Sequence, residues 1–143
     1  MTKPVIGKLG KTKNAPITIS ESALQKQCVR WFRLKYPKYK MLLVAIPNGA
    51  RLWGNKEQRY KQWNKLQAEG AVKGASDLML LIPSGDFAGL AIEMKTKAKH
   101  SKQQPAQKAF EEAVIEAGYG YAIPRTFEQF KKVVKNYLET GKY

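Results

Sequence analysis

The sequence predicts an α/β domain in which short apolar strands alternate with helices. Apolar residues recur at helical spacing near both ends of the chain. Between them lie short apolar runs bounded by Gly, Pro and Asp, a pattern typical of strands and turns. The 143 residues are enough for one domain with its own core.

The chain is strongly basic. Lys and Arg number 26 against 11 Asp and Glu, for a net charge of +15. An excess of this size attracts polyanions, so nucleic acid is the favoured partner. Ribosomal and membrane-surface proteins share such an excess, so charge alone does not choose among them.

Cysteine content and hydropathy indicate the compartment. Cys28 is the only cysteine, which excludes an internal disulfide and a cysteine-based zinc cluster. The sequence has no signal-like start and no long apolar run. We therefore expect a soluble protein in a reducing, intracellular setting.

The N-terminal third contains a predicted arm and a predicted helix. Residues 1–17 are rich in Lys, Pro and Gly without periodicity, and we expect a flexible basic arm that contacts phosphates, with 18–143 as the single domain. A helix is predicted over 20–36, with an inward stripe that includes Cys28 as a core residue. Glu21 lies on the side of that stripe, although Thr18 and Glu21 also fit a capping box.

A buried strand is predicted over Met41 to Ile46, leaving through a turn at Pro47-Asn48-Gly49. The next segment, 51–69, mixes basic and aromatic residues and becomes helical before Gly70 ends it. This mixture suits phosphate contacts combined with base stacking. A surface helix with inward-facing aromatics explains the pattern equally well.

The C-terminal third predicts helix, strand and helix. Pro105 opens a helix whose apolar stripe comprises Ala109, Phe110, Ala113, Val114 and Ala117. Gln107 lies in its first turn, where its amide can reach back toward the preceding strand. A strand over 119–123 and a helix over 127–138 follow, while His100 lies in a lysine-rich loop and is expected to be exposed.

The central stretch predicts a hairpin. Apolar runs at 78–82 and 90–92 flank Ser84-Gly85-Asp86, and a turn centred on Gly85 pairs residues whose numbers sum to 170. Asp77 and Glu93 then become cross-strand neighbours, with Cβ atoms about 5 Å apart. Because strand side chains alternate, Lys95 points to the same face as Glu93.

Facing carboxylates destabilise a sheet unless a cation compensates them. Asp and Glu oxygens suit Mg²⁺ or Mn²⁺, and a neighbouring ammonium can hold a water for phosphodiester hydrolysis. The alternative is structural: Asp77 caps a strand, and Glu93 and Lys95 form a solvated surface pair.

Asp77, followed on the next predicted strand by Glu93-Met94-Lys95, resembles the D…(D/E)xK core of the PD-(D/E)xK nucleases. The order of the surrounding motifs is similar to that of the VRR-NUC nucleases, the virus-type replication and repair branch. The resemblance runs from about Glu21 to Ile123 and includes Ile46-Pro47-Asn48-Gly49, Gly74-Ala75-Ser76-Asp77 and Pro105-Ala106-Gln107. Ser76 stands where the family usually has proline, for which we expect altered loop stiffness. The resemblance implies a restriction-endonuclease-like α/β core with a mixed central sheet flanked by helices.

The resemblance also implies roles for individual residues. Asp77, Glu93, the carbonyl of Met94 and a further carboxylate from Glu21 would hold Mg²⁺ or Mn²⁺. Lys95 would position or activate the attacking water. Gln107 would orient Lys95 or that water. Predicted nucleic-acid contacts are Asn48, Arg51, Lys56, Arg59, Lys61, Lys73, Lys97 and Lys99.

The expected function is metal-dependent DNA endonuclease activity, selective for branched or junction DNA such as a Holliday junction, in replication, repair or recombination. A phage or bacterial host setting is expected. A second copy could pair through the surfaces of Trp31, Trp53 or Trp63. The alternative is a basic nucleic-acid-binding module without catalysis. A sequence-specific restriction enzyme is disfavoured because no second region supplies a base-reading domain.

Overall fold

The computed structural model of the chain describes residues 18–47, 52–98 and 102–143. The predicted N-terminal arm, 1–17, lies outside the described residues. Within the described ranges the elements are, in chain order, α1 (Glu21–Lys35), β1 (Leu43–Ala45), α2 (Lys56–Ala68), β2 (Leu78–Leu80), β3 (Leu90–Ile92), α3 (Pro105–Glu116), β4 (Gly120–Ala122) and α4 (Phe127–Thr140), with a single 3-10 turn at Pro37–Tyr39.

The strands form one mixed sheet in the order β1-β2-β3-β4. The β1–β2 and β2–β3 pairs are antiparallel, and the β3–β4 pair is parallel. Parallel neighbours need a crossover connection, and α3 supplies it between β3 and β4. The predicted α/β class with a mixed central sheet flanked by helices is confirmed.

The β2–β3 register matches the prediction. Leu78 lies opposite Ile92, and Leu80 lies opposite Leu90, so the paired numbers sum to 170. Continuing this register places residue 77 beside residue 93, at the end of the hairpin away from the turn. β2 ends earlier than predicted, since Leu81 follows it with 47% of its surface exposed. A slip of one residue would have moved Glu93 to the other face.

The main core lies where α1 and α4 pack against the sheet. α1 contributes Leu24, Cys28 and Phe32, and α4 contributes Phe130, Val134 and Tyr137, all at most 1% exposed. From the strands and their continuation the core takes Leu43, Leu78, Leu80, Leu90, Ile92, Met94 and Ala122. The two helices therefore cover the face of the hairpin opposite to Glu93 and Lys95.

The start of α1 differs from the prediction, whereas the burial of Cys28 agrees with it. Its N-cap is Ser20, whose hydroxyl accepts from the N–H of Ala23 at 3.1 Å, so the capping box predicted for Thr18 and Glu21 is wrong. Glu21 is instead the first helical residue. Cys28 is fully buried, and burial raises its pKa to about 12, as expected for a core residue rather than a nucleophile.

Two predicted apolar segments, the first strand and the stripe of α3, are confirmed only in part. Met41 is 80% exposed, and β1 begins only at Leu43. On α3, the predicted stripe alanines are exposed, and the half-buried face contains Phe110 and Val114 with the polar side chain of Gln107. Alanine fits either face of a helix, so its spacing did not identify the inward side. The exposed alanines are Ala109, Ala113 and Ala117.

Helix α2 buries no residue, so the predicted inward aromatic face is only half formed. Trp63 and Leu66 are half-buried, whereas Tyr60 is 66% exposed. A helix that is polar nearly all round gains little from the core. The segment ends as predicted at Gly70, whose φ is +109°.

Candidate active site

Asp77 lies directly before β2, at the edge of the buried hairpin. Its Oδ2 accepts a hydrogen bond from the N–H of Met94 at 2.7 Å, which fixes the carboxyl across the two strands. Burial raises the pKa of Asp77, and the Met94 hydrogen bond works against that rise. The carboxyl is thus held in place and poorly solvated.

Glu93 is buried beneath Asp77, with 2% of its surface exposed. Its Oε1 accepts from Gln107 Nε2 at 2.5 Å and lies 3.5 Å from Lys95 Nζ. Its Oε2 is also buried and has no hydrogen-bond partner among the described residues. Burial first, and then the charge of Asp77, raise the pKa of Glu93 to about 7.

Lys95 lies on the same face as Glu93, as strand alternation predicts, and is 7% exposed. The backbone of this segment continues alongside β4, since the N–H of Glu93 donates to Ala122 O at 2.9 Å and that of Lys95 to Pro124 O at 3.3 Å. Two carboxyls and an ammonium therefore converge at one buried point. The alternative of a solvated Glu93–Lys95 pair is wrong because both side chains are buried.

Gln107 reaches this cluster from the first turn of α3. Its Oε1 accepts from the N–H of Gln104 at 2.8 Å, which leaves its amide nitrogen to donate to Glu93. Gln104 instead directs its side-chain amide to Lys102 O at 3.3 Å. Gln107 thus reaches back to the strand as predicted and contacts Glu93. The role that the resemblance implies for it, orienting Lys95 or a water, stays a prediction.

Gly74 brings the loop before Asp77 against the start of α3. Its φ is +85°, and a Cβ built there would lie 2.3 Å from the carbonyl carbon of Ala106. Only a residue without a side chain permits this approach. The contact joins the segment that carries Asp77 to the turn that carries Gln107.

Glu21, in the first turn of α1, lines the same cleft as Asp77. Its negative charge contributes to the raised pKa of both Asp77 and Glu93. In the part of the chain that the structure describes, no three Asp, Glu, His or Cys side chains form a group that could hold a metal ion. Glu21 is therefore near the other two carboxyls without joining them in a compact cluster.

The pair of Asp77 and Glu93 nevertheless fits a hard divalent cation. Mg²⁺ commonly takes one or two protein carboxylates and completes its shell with water. The orphaned Oε2 of Glu93 is a buried acceptor that a cation would satisfy. The N–H of Met94 donates to Asp77. That the Met94 carbonyl serves as a further metal ligand stays a prediction.

The predicted nucleic-acid contacts lie in several places. Asn48, Arg51 and Lys99 fall outside the described residues, as does His100. The described members are all exposed; they are Lys56, Arg59, Lys61, Lys73 and Lys97. Of these, Lys61 pairs with Glu57 at 3.2 Å. The other four form no ion pair with a described residue.

Sequence reasoning missed a tyrosine near the site. Tyr121 lies on β4 opposite Ala91, so it shares the face of Glu93. Burial raises its pKa, and the charge of Glu93 raises it further. Its position depends on the β3–β4 pairing across a crossover, which no local pattern reveals.

A scan against protein-family models gives no match, and a search of curated proteins also gives none. The solved structures do give a match. A structure described as a "VRR_NUC domain protein" superposes with a TM-score of 0.71 and 22% identity, covering 87% of this chain and 92% of that one.

A second structure, described as a "VRR_NUC domain", is 20% identical over 82% of this chain and 96% of that one, with a TM-score of 0.45, too low to support the fold. The first superposition agrees with the mixed sheet and its flanking helices. No helix of the described residues is long and apolar enough to cross a membrane. This chain therefore has the fold of a VRR-NUC domain.

Proposed function

We propose that the protein is a divalent-cation-dependent DNA endonuclease. The observation that carries the proposal is the buried carboxyl of Glu93, whose Oε2 has no partner within the described residues and whose neighbours are Asp77 and Lys95. A purely structural carboxyl would have both oxygens paired or exposed, because burying a polar atom without a partner is costly, and here only Oε1 is paired. A cation bound by Oε2 would offset the free-energy cost of burying that oxygen.

The residues of the chain have distinct parts in the proposed reaction. Asp77 and Glu93 would hold Mg²⁺ or Mn²⁺, which when bound polarises the scissile phosphate and acidifies water. Lys95, whose Nζ lies 3.5 Å from Glu93 Oε1, would position the attacking water and offset charge that develops on the phosphoryl oxygens. Gln107 holds Glu93 Oε1 and leaves Oε2 without a partner, so Oε2 would be the oxygen available to a cation.

The net charge of +15 supports nucleic acid as substrate. Backbone contacts of this kind are independent of sequence, so selectivity would come from the shape of the DNA. We propose branched or flapped DNA as the preferred substrate, as in replication, repair or recombination. Binding should weaken steeply with salt.

The experiment incubates labelled junction, flap and linear duplex DNA with the protein in Mg²⁺ or Mn²⁺. Wild type is compared with Asp77→Asn and Lys95→Ala, and Asp86→Asn at the exposed hairpin turn serves as the matched control. We expect cleavage by wild type and by the control, loss of cleavage in both site variants, and retained binding in all four proteins. Binding without cleavage in either metal would favour the non-catalytic binding module instead.

Self-association through a tryptophan surface is a separate proposal. Trp31 is half-buried and packs edge-on against Tyr36, Phe127 and Phe130, with ring centroids 5.7 to 6.3 Å apart. Trp53 is 72% exposed, so it is the better candidate for a contact with a second copy. Light scattering at working concentration should give the mass of a dimer, and a monomer mass would contradict the proposal.

A further inference from the structure

A cleft of about 780 Å³ lies between α1 and the end of β1. Glu21 and Asp77 line it, so the cleft includes part of the candidate active site. Three cations on α1 also line it: Lys26, Arg30 and Arg33. Their spacing places them on one face of the helix, over about 10 Å at the usual rise of about 1.5 Å per residue.

These cations have no acidic partners in the described part of the chain. No ion pair involves Lys26, Arg30 or Arg33. Two lysines of α2 differ, because Lys61 pairs with Glu57 of the same helix and Lys65 pairs with Glu69 at its C-cap. The positive charge of α1 is therefore available to an anionic ligand between Lys26 and Arg33.

The cleft also has an apolar part, beside the polar side chains of Ser22 and Gln25. Val29 of α1 lines it together with Ile46 and Pro47, which follow β1. A ligand that fits must present negative charge to one side and apolar or aromatic surface to the other. An unpaired nucleic-acid strand does so, with phosphates on one side and sugars and bases on the other. A duplex keeps its bases stacked inside and presents mainly phosphates.

Access to the site favours the same ligand. Glu93 and Lys95 are 2% and 7% exposed, whereas Asp77 is only half-buried and lines the cleft. A phosphate that approaches through the cleft would meet Asp77 first and would reach Glu93 and Lys95 from the side that Asp77 leaves open to solvent. The arginines are placed to hold neighbouring phosphates of the same strand.

We infer that the α1 cleft binds the sugar-phosphate backbone of an unpaired strand and leads it to Asp77, with Arg30 and Arg33 as the principal phosphate contacts. This inference rests on the proposed nuclease function for its biological meaning. The binding it describes is measurable without any cleavage.

The binding test uses the Asp77→Asn variant of the 143-residue chain and a fluorescent single-stranded oligonucleotide, or the duplex of the same sequence. Arg30→Gln with Arg33→Gln is compared with Lys132→Gln and Lys135→Gln, which removes the same charge from exposed positions of α4. Anisotropy is measured over a range of salt. Removing two phosphate contacts should make the slope of log Kobs against log[salt] less negative by about 1.4 for the single strand, at about 0.7 per contact.

The double variant of α4 should leave the salt slope for the single strand unchanged. The double variant of α1 should lose more affinity for the single strand than for the duplex. Equal slopes for the two double variants would overturn the inference. Equal losses for duplex and single strand would overturn the assignment to an unpaired strand. Circular dichroism and thermal midpoints check that both variants are folded, which is expected because all four positions are exposed.

Cleavage kinetics separate this inference from the proposed function. If wild type cleaves DNA, Arg30→Gln with Arg33→Gln should raise KM about tenfold or more with little change in kcat. Cleavage with an unchanged KM would refute strand binding by the cleft but leave the nuclease function intact. Absence of cleavage in wild type, with the loss of salt slope intact, would refute the nuclease function while the cleft stands.

Discussion

Glu93→Gln should stabilise the metal-free protein while removing its function. Glutamine has nearly the shape of protonated glutamate, so it reports what ionisation of this buried group costs. The pKa of Glu93 rises from 4.5 to about 7. At about 1.4 kcal/mol for each pKa unit, the ionised form costs about 3 kcal/mol at pH 8. The substitution should recover most of that free energy.

The pH dependence has a definite sign. Between pH 4.5 and about 7 the folded state keeps the proton of Glu93 while the unfolded state releases it. The unfolded state then binds fewer protons, so stability of the wild type falls as pH rises through this window. The advantage of Glu93→Gln should be near zero below pH 4.5 and complete above pH 7.

The assay is thermal or urea unfolding in EDTA across this pH range, repeated with Mg²⁺ or Mn²⁺. At roughly 4 °C for each kcal/mol in a domain of this size, the midpoint at pH 8 should rise by about 10 °C. A divalent cation at 100 times its Kd should add about 2.7 kcal/mol to the wild type and little to the variant.

Glu112→Gln, at an exposed position of α3, is the control and should change stability by less than about 0.5 kcal/mol. A Glu93→Gln protein that is no more stable than wild type at pH 8 in EDTA would refute the reasoning. It would show that the buried carboxyl is already compensated without a cation.

Three further results are expected. Gln107→Leu should leave the fold intact but lower cleavage or metal affinity about 10- to 100-fold, because Glu93 loses its hydrogen-bond donor, as kinetics and metal titration would show. Gly74→Ala should lower the thermal midpoint, because its Cβ would overlap the backbone of Ala106; an unchanged midpoint would contradict the close approach. Cys28 should resist thiol reagents at pH 8.5 until the protein unfolds, since its pKa is raised to about 12, and rapid labelling of the native protein would contradict its burial.

The hairpin was predictable because its information is local. Apolar runs on either side of Ser84-Gly85-Asp86 determine both the turn and the register, and the register determines that Asp77, Glu93 and Lys95 meet. The core positions of α1 were predictable for the same reason, since Leu24 and Phe32 follow helical spacing.

Features that depend on packing between distant segments were not predictable. The reach of Gln107 toward the preceding strand was predicted from its place in the first turn of α3. That Glu93 is its partner depends on the approach of α3 to the loop at Gly74, which spacing within either segment does not encode. The alanines of α3 fit either side of a helix, so they misled the assignment of its inner face. Helical spacing puts Lys26, Arg30 and Arg33 of α1 on one face. That they share a cleft with Asp77 depends on the packing of α1 beside the end of β1, which the sequence does not show.

The turn of the hairpin is fastened to the C-terminal helix. A Cβ at Gly141 would lie 2.5 Å from the Cα of Gly85, and the hydroxyl of Ser84 donates to the carbonyl of Tyr137. The hydroxyl of Tyr137 in turn donates to Ile82 O at 2.6 Å. Deletion of residues 137–143 would remove these contacts from the turn of the hairpin, whose opposite end carries Asp77 and Glu93. Loss of activity after trimming the C-terminus would then reflect lost support of the core and the hairpin rather than a missing catalytic group.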